Sequence, residues 1–102
     1  MKVTRSGECS NSPKNAFVED FIIALVLGDD PGDRLSQDAQ LPDIGLENAS
    51  SLTILHAISH GRIGAANGEA VVNGETVAFA FVLEFTSTKG NCVRRIDFYH
   101  HA

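Results

Sequence analysis

The sequence contains no basic run: Arg94-Arg95 is its only adjacent cationic pair, and the formal net charge is -5. A nucleic-acid binder needs a cationic face to neutralise phosphate, so that class of partner is excluded. There is no long apolar run either. Phe21 to Leu27, a run that none exceeds in length, falls far short of the roughly 20 residues that span a bilayer, and no membrane partner is expected. The opening residues MKVTRSGECS lack the apolar core of a secretory leader, so a cytoplasmic setting is expected. Cysteine is scarce: Cys9 and Cys92 stand at no metal-ligand spacing, and in a cytosolic chain both read as free thiols. Gly61 and Gly64 fit neither the dinucleotide nor the P-loop pattern. No local motif supports a Ser/His/Asp or Cys/His nucleophile, and no third ligand joins His56 and His60 at zinc spacing. Neither a metal nor a cofactor is expected.

What is present is the material of one small domain, 102 residues with 43% apolar content. Its centre is Thr76 to Phe85, where Val77, Phe79, Phe81, Leu83 and Phe85 alternate with Ala78, Ala80, Val82 and Glu84. Period-two alternation sends the two sets to opposite faces of a strand. Just before it, Asn73-Gly74 between two β runs is a type I′ hairpin signal. That turn sets Phe79 opposite Gly68, Phe81 opposite Ala66 and Leu83 opposite Gly64, large beside small along one face. Lys89-Gly90 breaks the next connection, and Cys92 to His101 returns as a last strand. Pairing Glu84 with Arg95 places Ile96 beside Leu83 and Phe98 beside Phe81. A bulge at Arg94-Arg95 would reverse these facings.

Upstream, residues 1–11 are polar and read as a flexible tail. Ser12-Pro13 signals a helix start, and the helix runs to about Leu27, where Gly28 stops it. Beyond Asp20 the helix is apolar almost all round, which predicts cover on more than one face from a second helix or a partner subunit. From Asp29 to Ser51 six acids face one base, Arg34, and Pro and Gly punctuate a solvated connection. Leu35, Leu41, Ile44 and Leu46 could pin it to the core. Leu52, Ile54, His56, Ile58 and His60 alternate as a further strand, with both imidazoles expected on the core side. The fold class that follows is α+β, an N-terminal helix packed on a curved antiparallel sheet.

These residues resemble a known group. Ser12-Pro13-Lys14-Asn15 leading into an apolar helix is similar to the first helix of small bacterial NTF2-like (SnoaL-like) proteins. TILHAISHGRIGAANGEA, AFAFVLEFTSTKG and VRRIDFY are similar to the strands of the same group, in the same order. The resemblance implies a cone: a curved sheet around helices, a pocket between them, and dimerisation through the outer sheet face. The chain departs from the pattern between Asp29 and Ser51, where members carry further helices and a strand.

The implied function is binding of a small organic molecule in an aromatic-lined pocket, with a homodimer as the assembled form. Phe79, Phe81 and Phe98 would wall the pocket, with His56, Arg62 and Tyr99 as further binding residues. Arg62, Arg94 and His100 would form a cationic rim near Phe85 and Phe98. An alternative is an isomerase, dehydratase or hydrolase using His60 or Asp97 as general base. A further alternative is a non-enzymatic dimerisation module with a filled pocket. On the lighter sheet face Glu84, Arg95, Asp97 and Tyr99 gather with Asn67 and Glu69 around a flat centre of Ala65, Ala78, Ala80, Val71 and Val82. If exposed, such a centre suits a protein interface.

Overall fold

A computed structural model describes residues 1–9 and 11–101. Strand β1 (Lys2–Thr4) is followed by helix α1 (Pro13–Leu27), a 3-10 turn (Gly32–Arg34), and strands β2 (Ser51–His60), β3 (Ile63–Val72), β4 (Glu75–Phe85) and β5 (Val93–His101). The strands lie in the order β1-β2-β3-β4-β5 in one curved, open sheet, mixed because β1 runs parallel to β2. The outcome is the α+β class, one helix on one sheet.

Local chemistry explains the helix limits. Ser12 Oγ accepts the Asn15 N–H at 3.2 Å, and Pro13 occupies a first-turn position where no backbone donor is required. At the other end Gly28 adopts φ +79°, its N–H reaching Leu25 O while the Asp29 N–H reaches Ala24 O. This pair of bonds is the Schellman stop that a left-handed glycine makes available.

The hairpin register follows the Asn-Gly turn: Asn73 and Gly74 both take positive φ, and Gly68, Ala66 and Gly64 stand opposite Phe79, Phe81 and Leu83. Small residues are required there. A Cβ on Gly68 would overlap the Thr53 carbonyl of β2, and one on Gly64 would lie 2.6 Å from Val18 Cγ2 of α1. On the other side β5 pairs Arg95 with Glu84, Ile96 with Leu83 and Phe98 with Phe81. The bulge does occur, at Arg94, but before the paired stretch, so the facings beyond it are kept.

Three expectations are corrected. The polar N-terminus does not remain a tail throughout, since Lys2–Thr4 pairs with Ser51–Thr53 along the β2 edge. A short parallel segment needs only backbone groups, and polar side chains are tolerated at a sheet edge. Second, the cover for α1 comes from neither another helix nor a partner. Leu46 and Ala49 of the acidic connection are buried in the core cluster, Leu35 and Ile44 pack against it, and the Arg34 guanidinium stands over Phe21 at 5.9 Å. Leu41, by contrast, is exposed.

The third correction concerns β2. A bulge lies between Ile54 and His56, with Leu55 as the extra residue. One inserted residue sends every later side chain to the other face. Leu52, Ile54 and Ala57 are therefore buried, whereas His56, Ile58 and His60 lie on the solvent side.

Candidate functional site: the uncovered sheet face

The molecule measures 39 × 30 × 20 Å. Its thinnest dimension matches one helix layer and one sheet layer at about 10 Å each, and among the described residues no helix covers the far side of the sheet. That bare face is a grid read from the strand registers. One row across the sheet is His56, Asn67, Ala80 and Tyr99; the next is Ile58, Ala65, Val82 and Asp97. Tall side chains stand on β2 and β5, and small ones form the floor on β3 and β4. A shallow hollow of about 220 Å³ results, lined chiefly by His56, Ile58, Ala65, Asn67, Ala80 and Val82. Ile58 is 64% exposed and Tyr99 60%, large apolar surfaces that the chain leaves in water.

Most of the ionisable groups on this face pair within the subunit, while Glu69 of β3 stands exposed opposite Ala78. His56 Nδ1 lies 2.9 Å from Glu8 Oε1, Arg94 Nε 3.0 Å from Glu84 Oε1, and Arg95 Nε 3.2 Å from Asp97 Oδ2. The Asp97 carboxylate beside Arg95 holds that guanidinium's pKa above its ordinary value. The two rows from His56 to Tyr99 and from Ile58 to Asp97 thus have a flat, uncharged centre, with Glu69 in the row beyond and ion pairs at the margins.

The expected site residues do not converge. Phe79 and Phe81 are buried on the opposite face, packed on each other at 5.7 Å between ring centroids, and Phe98 lies 4.7 Å from Phe81. Phe17, on α1, packs against both Phe21 and Phe85. The aromatic surface between helix and sheet is therefore spent on core contacts. His60 is exposed at the end of β2, and Asp97 lies on β5, three strand spacings or about 14 Å away. Arg62 is exposed in the β2–β3 turn, and Arg94 is tied to Glu84. His100 stacks on Phe98 at 5.3 Å, near the opposite end of β5 from Arg94. No common rim forms from these three. His56, Asp97 and Tyr99 do share the bare face.

A polar cluster that the sequence did not announce lies under the N-terminal segment. Glu19 of α1 is 2% exposed, and its carboxylate accepts the Ser6 N–H at 2.7 Å, the Ser6 hydroxyl at 3.3 Å and the Cys9 thiol at 3.0 Å. Burial pushes the Cys9 thiol pKa up, and the bond to Glu19 adds to that by favouring the protonated form. Glu19 belongs to no apolar stripe or motif, so only the structure reveals its role as anchor. Among the described residues no group of three His, Cys, Asp or Glu is placed to hold a metal ion, and no helix is long and apolar enough to cross a membrane.

Comparison with known proteins yields nothing to set beside this geometry: no family model, curated protein or solved structure matches the chain.

Proposed function

We propose that the chain is a non-enzymatic assembly domain, an abbreviated NTF2-like unit that forms a homodimer by stacking its bare sheet face on that of a second copy. The observation that carries this reading is the face itself: exposed Ile58 and Tyr99 around a small-residue floor, with three ionisable pairs at the margins. Four strands at about 4.8 Å spacing and about 3.3 Å per residue give a face on the order of 600 Å² in projection. Side-chain relief enlarges it toward the roughly 800 Å² per partner of a standard interface. The packed aromatic interior supports an assembly role over an internal ligand pocket. The helix followed by an antiparallel meander supports the abbreviated NTF2-like reading.

A second reading keeps a small organic ligand but moves it to the bare face. The 220 Å³ hollow, with His56 and Asn67 beside an alanine floor, favours a flat apolar molecule with one hydrogen-bonding group.

Sedimentation of the wild-type chain and of Ala80→Lys tests the primary reading. Ala80 is half-buried on the floor of the face, where a lysine can extend into solvent without entering the core. The expected result is a variant that sediments at half the wild-type mass, with an unchanged circular dichroism spectrum. A wild-type monomer at tens of micromolar, or a variant of unchanged mass, overturns it.

A further inference from the structure

The sheet has a second unpartnered feature, independent of its bare face. We infer that the open edge of β5, from Ile96 to His100, pairs antiparallel with the same edge of a second copy.

Backbone direction along β5 follows from the ladder. The Phe85 N–H donates to Arg62 O at 2.7 Å, so residue 85 turns its backbone toward β3 and Glu84 turns toward β5. By the alternation of an antiparallel pair, Ala78, Ala80, Val82 and Glu84 bond their β5 partners His101, Tyr99, Asp97 and Arg95. The N–H and C=O groups of Ile96, Phe98 and His100 therefore point away from the sheet. At the start of β5 the outward Val93 carbonyl is satisfied by the Ser36 N–H at 2.8 Å, and Gln40, Leu41 and Pro42 flank Arg94 to Ile96, with Phe98 and His100 beyond them. The opposite sheet edge is handled differently, its last strand being the three-residue β1.

This edge is self-complementary. A two-fold pairing must match outward residues with outward residues, and centring it on Phe98 does so. Phe98 then faces the partner's Phe98, Ile96 faces the partner's His100, and Asp97 faces the partner's Tyr99. Phenol opposite carboxylate is a hydrogen-bonding match, and it occurs twice by symmetry. Sliding the centre to Asp97 would oppose two carboxylates, which disfavours that register. The half-buried Phe98, already stacked between Phe81 and His100, gains its missing neighbour across the axis. Arg94 and Arg95, charges of the kind that guard edges, lie outside the paired stretch.

Residue-resolved amide exchange at two protein concentrations tests this, together with His100→Pro. In an isolated chain the amides of Asp97 and Tyr99 are protected by β4, and those of Ile96, Phe98 and His100 are open. Pairing adds protection of at least about tenfold to the second set alone, lost on dilution. Proline at 100 removes an outward N–H that the chain itself does not use, a position where proline is tolerated in strands. It is expected to halve the sedimenting mass while leaving the Asp97 amide protected. Ala80→Lys separates this contact from face stacking: it leaves the alternating protection in place, even if the face reading fails. Unprotected Phe98 and His100 amides at high concentration overturn the inference, whether or not the proline variant folds.

Discussion

At the scale of single residues, the informative group is Glu19. Its carboxylate is buried with no cationic partner among the described residues, and three donors from residues 6 and 9 take the place of water. A buried charge is tolerable only when its lone pairs are filled. Glu19→Ala is expected to lower stability by about 1–3 kcal/mol, the range for leaving buried donors unmatched. It should also speed amide exchange over Lys2–Thr4, since the anchor next to β1 is lost. Urea denaturation and exchange measure the two effects, and unaltered β1 exchange would show that the strand holds without it. Cys9 gives the pH dependence. Its folded pKa lies above the ordinary 9.0, so the folded chain retains the thiol proton more tightly than the unfolded one. That contribution is complete below about pH 9 and is lost as pH rises through the folded value. The urea midpoint should therefore fall more between pH 8 and about pH 10.5 for the wild type than for Cys9→Ser. Equal falls would mean that the thiol is not sheltered.

At the scale of elements, one inserted residue decides which chemistry faces water. Leu55 is the bulge that turns His56, Ile58 and His60 outward. Deleting it removes the bulge yet keeps the facings, since Ala57 then follows Ile54 at two-residue spacing on the core side while His56, Ile58 and His60 stay outward, so the cost is expected to stay under about 1 kcal/mol. Leu55→Ala trims a side chain that is 42% exposed and should cost under about 0.5 kcal/mol. Thermal melts of the two variants decide the matter, and a steep drop for the deletion alone would mean that the fold needs the bulge itself and not only the facing it produces. The same element shows where sequence reading stops. The helix limits, the Asn73-Gly74 turn and the β3–β4–β5 registers were legible because each has a local chemical cause. The β2 facing was not, because an apolar Leu55 continues the apparent pattern instead of breaking it. β1 was illegible for a related reason: Lys2, Val3 and Thr4 put a single apolar side chain against the core, too short a run for a periodicity to be read. For the expected aromatic pocket, alternation reveals that Phe79, Phe81 and Phe98 share a face but not that their rings pack on one another there.

At the scale of the whole molecule, the chain carries its own probe of assembly. Tyr99 is the sole tyrosine and there is no tryptophan, so intrinsic fluorescence reports from one point on the bare face. In the free subunit Tyr99 is 60% exposed and open to a quencher such as acrylamide. Under the proposed assembly it is covered, so the quenching constant should rise severalfold on dilution through the dissociation range. Ala80→Lys should lower the coverage of Tyr99 at every concentration. Salt separates an apolar contact from an electrostatic one. Because Glu8–His56, Glu84–Arg94 and Asp97–Arg95 are paired within each subunit, association across the face draws little on charge. Raising ionic strength from about 0.05 to about 0.5 M should shift the dissociation midpoint by less than about threefold, although the Debye length shortens severalfold over that range. A shift of about tenfold or more would mean that these ion pairs open and re-form between subunits, making the margins of the face its binding determinants instead of the alanine floor.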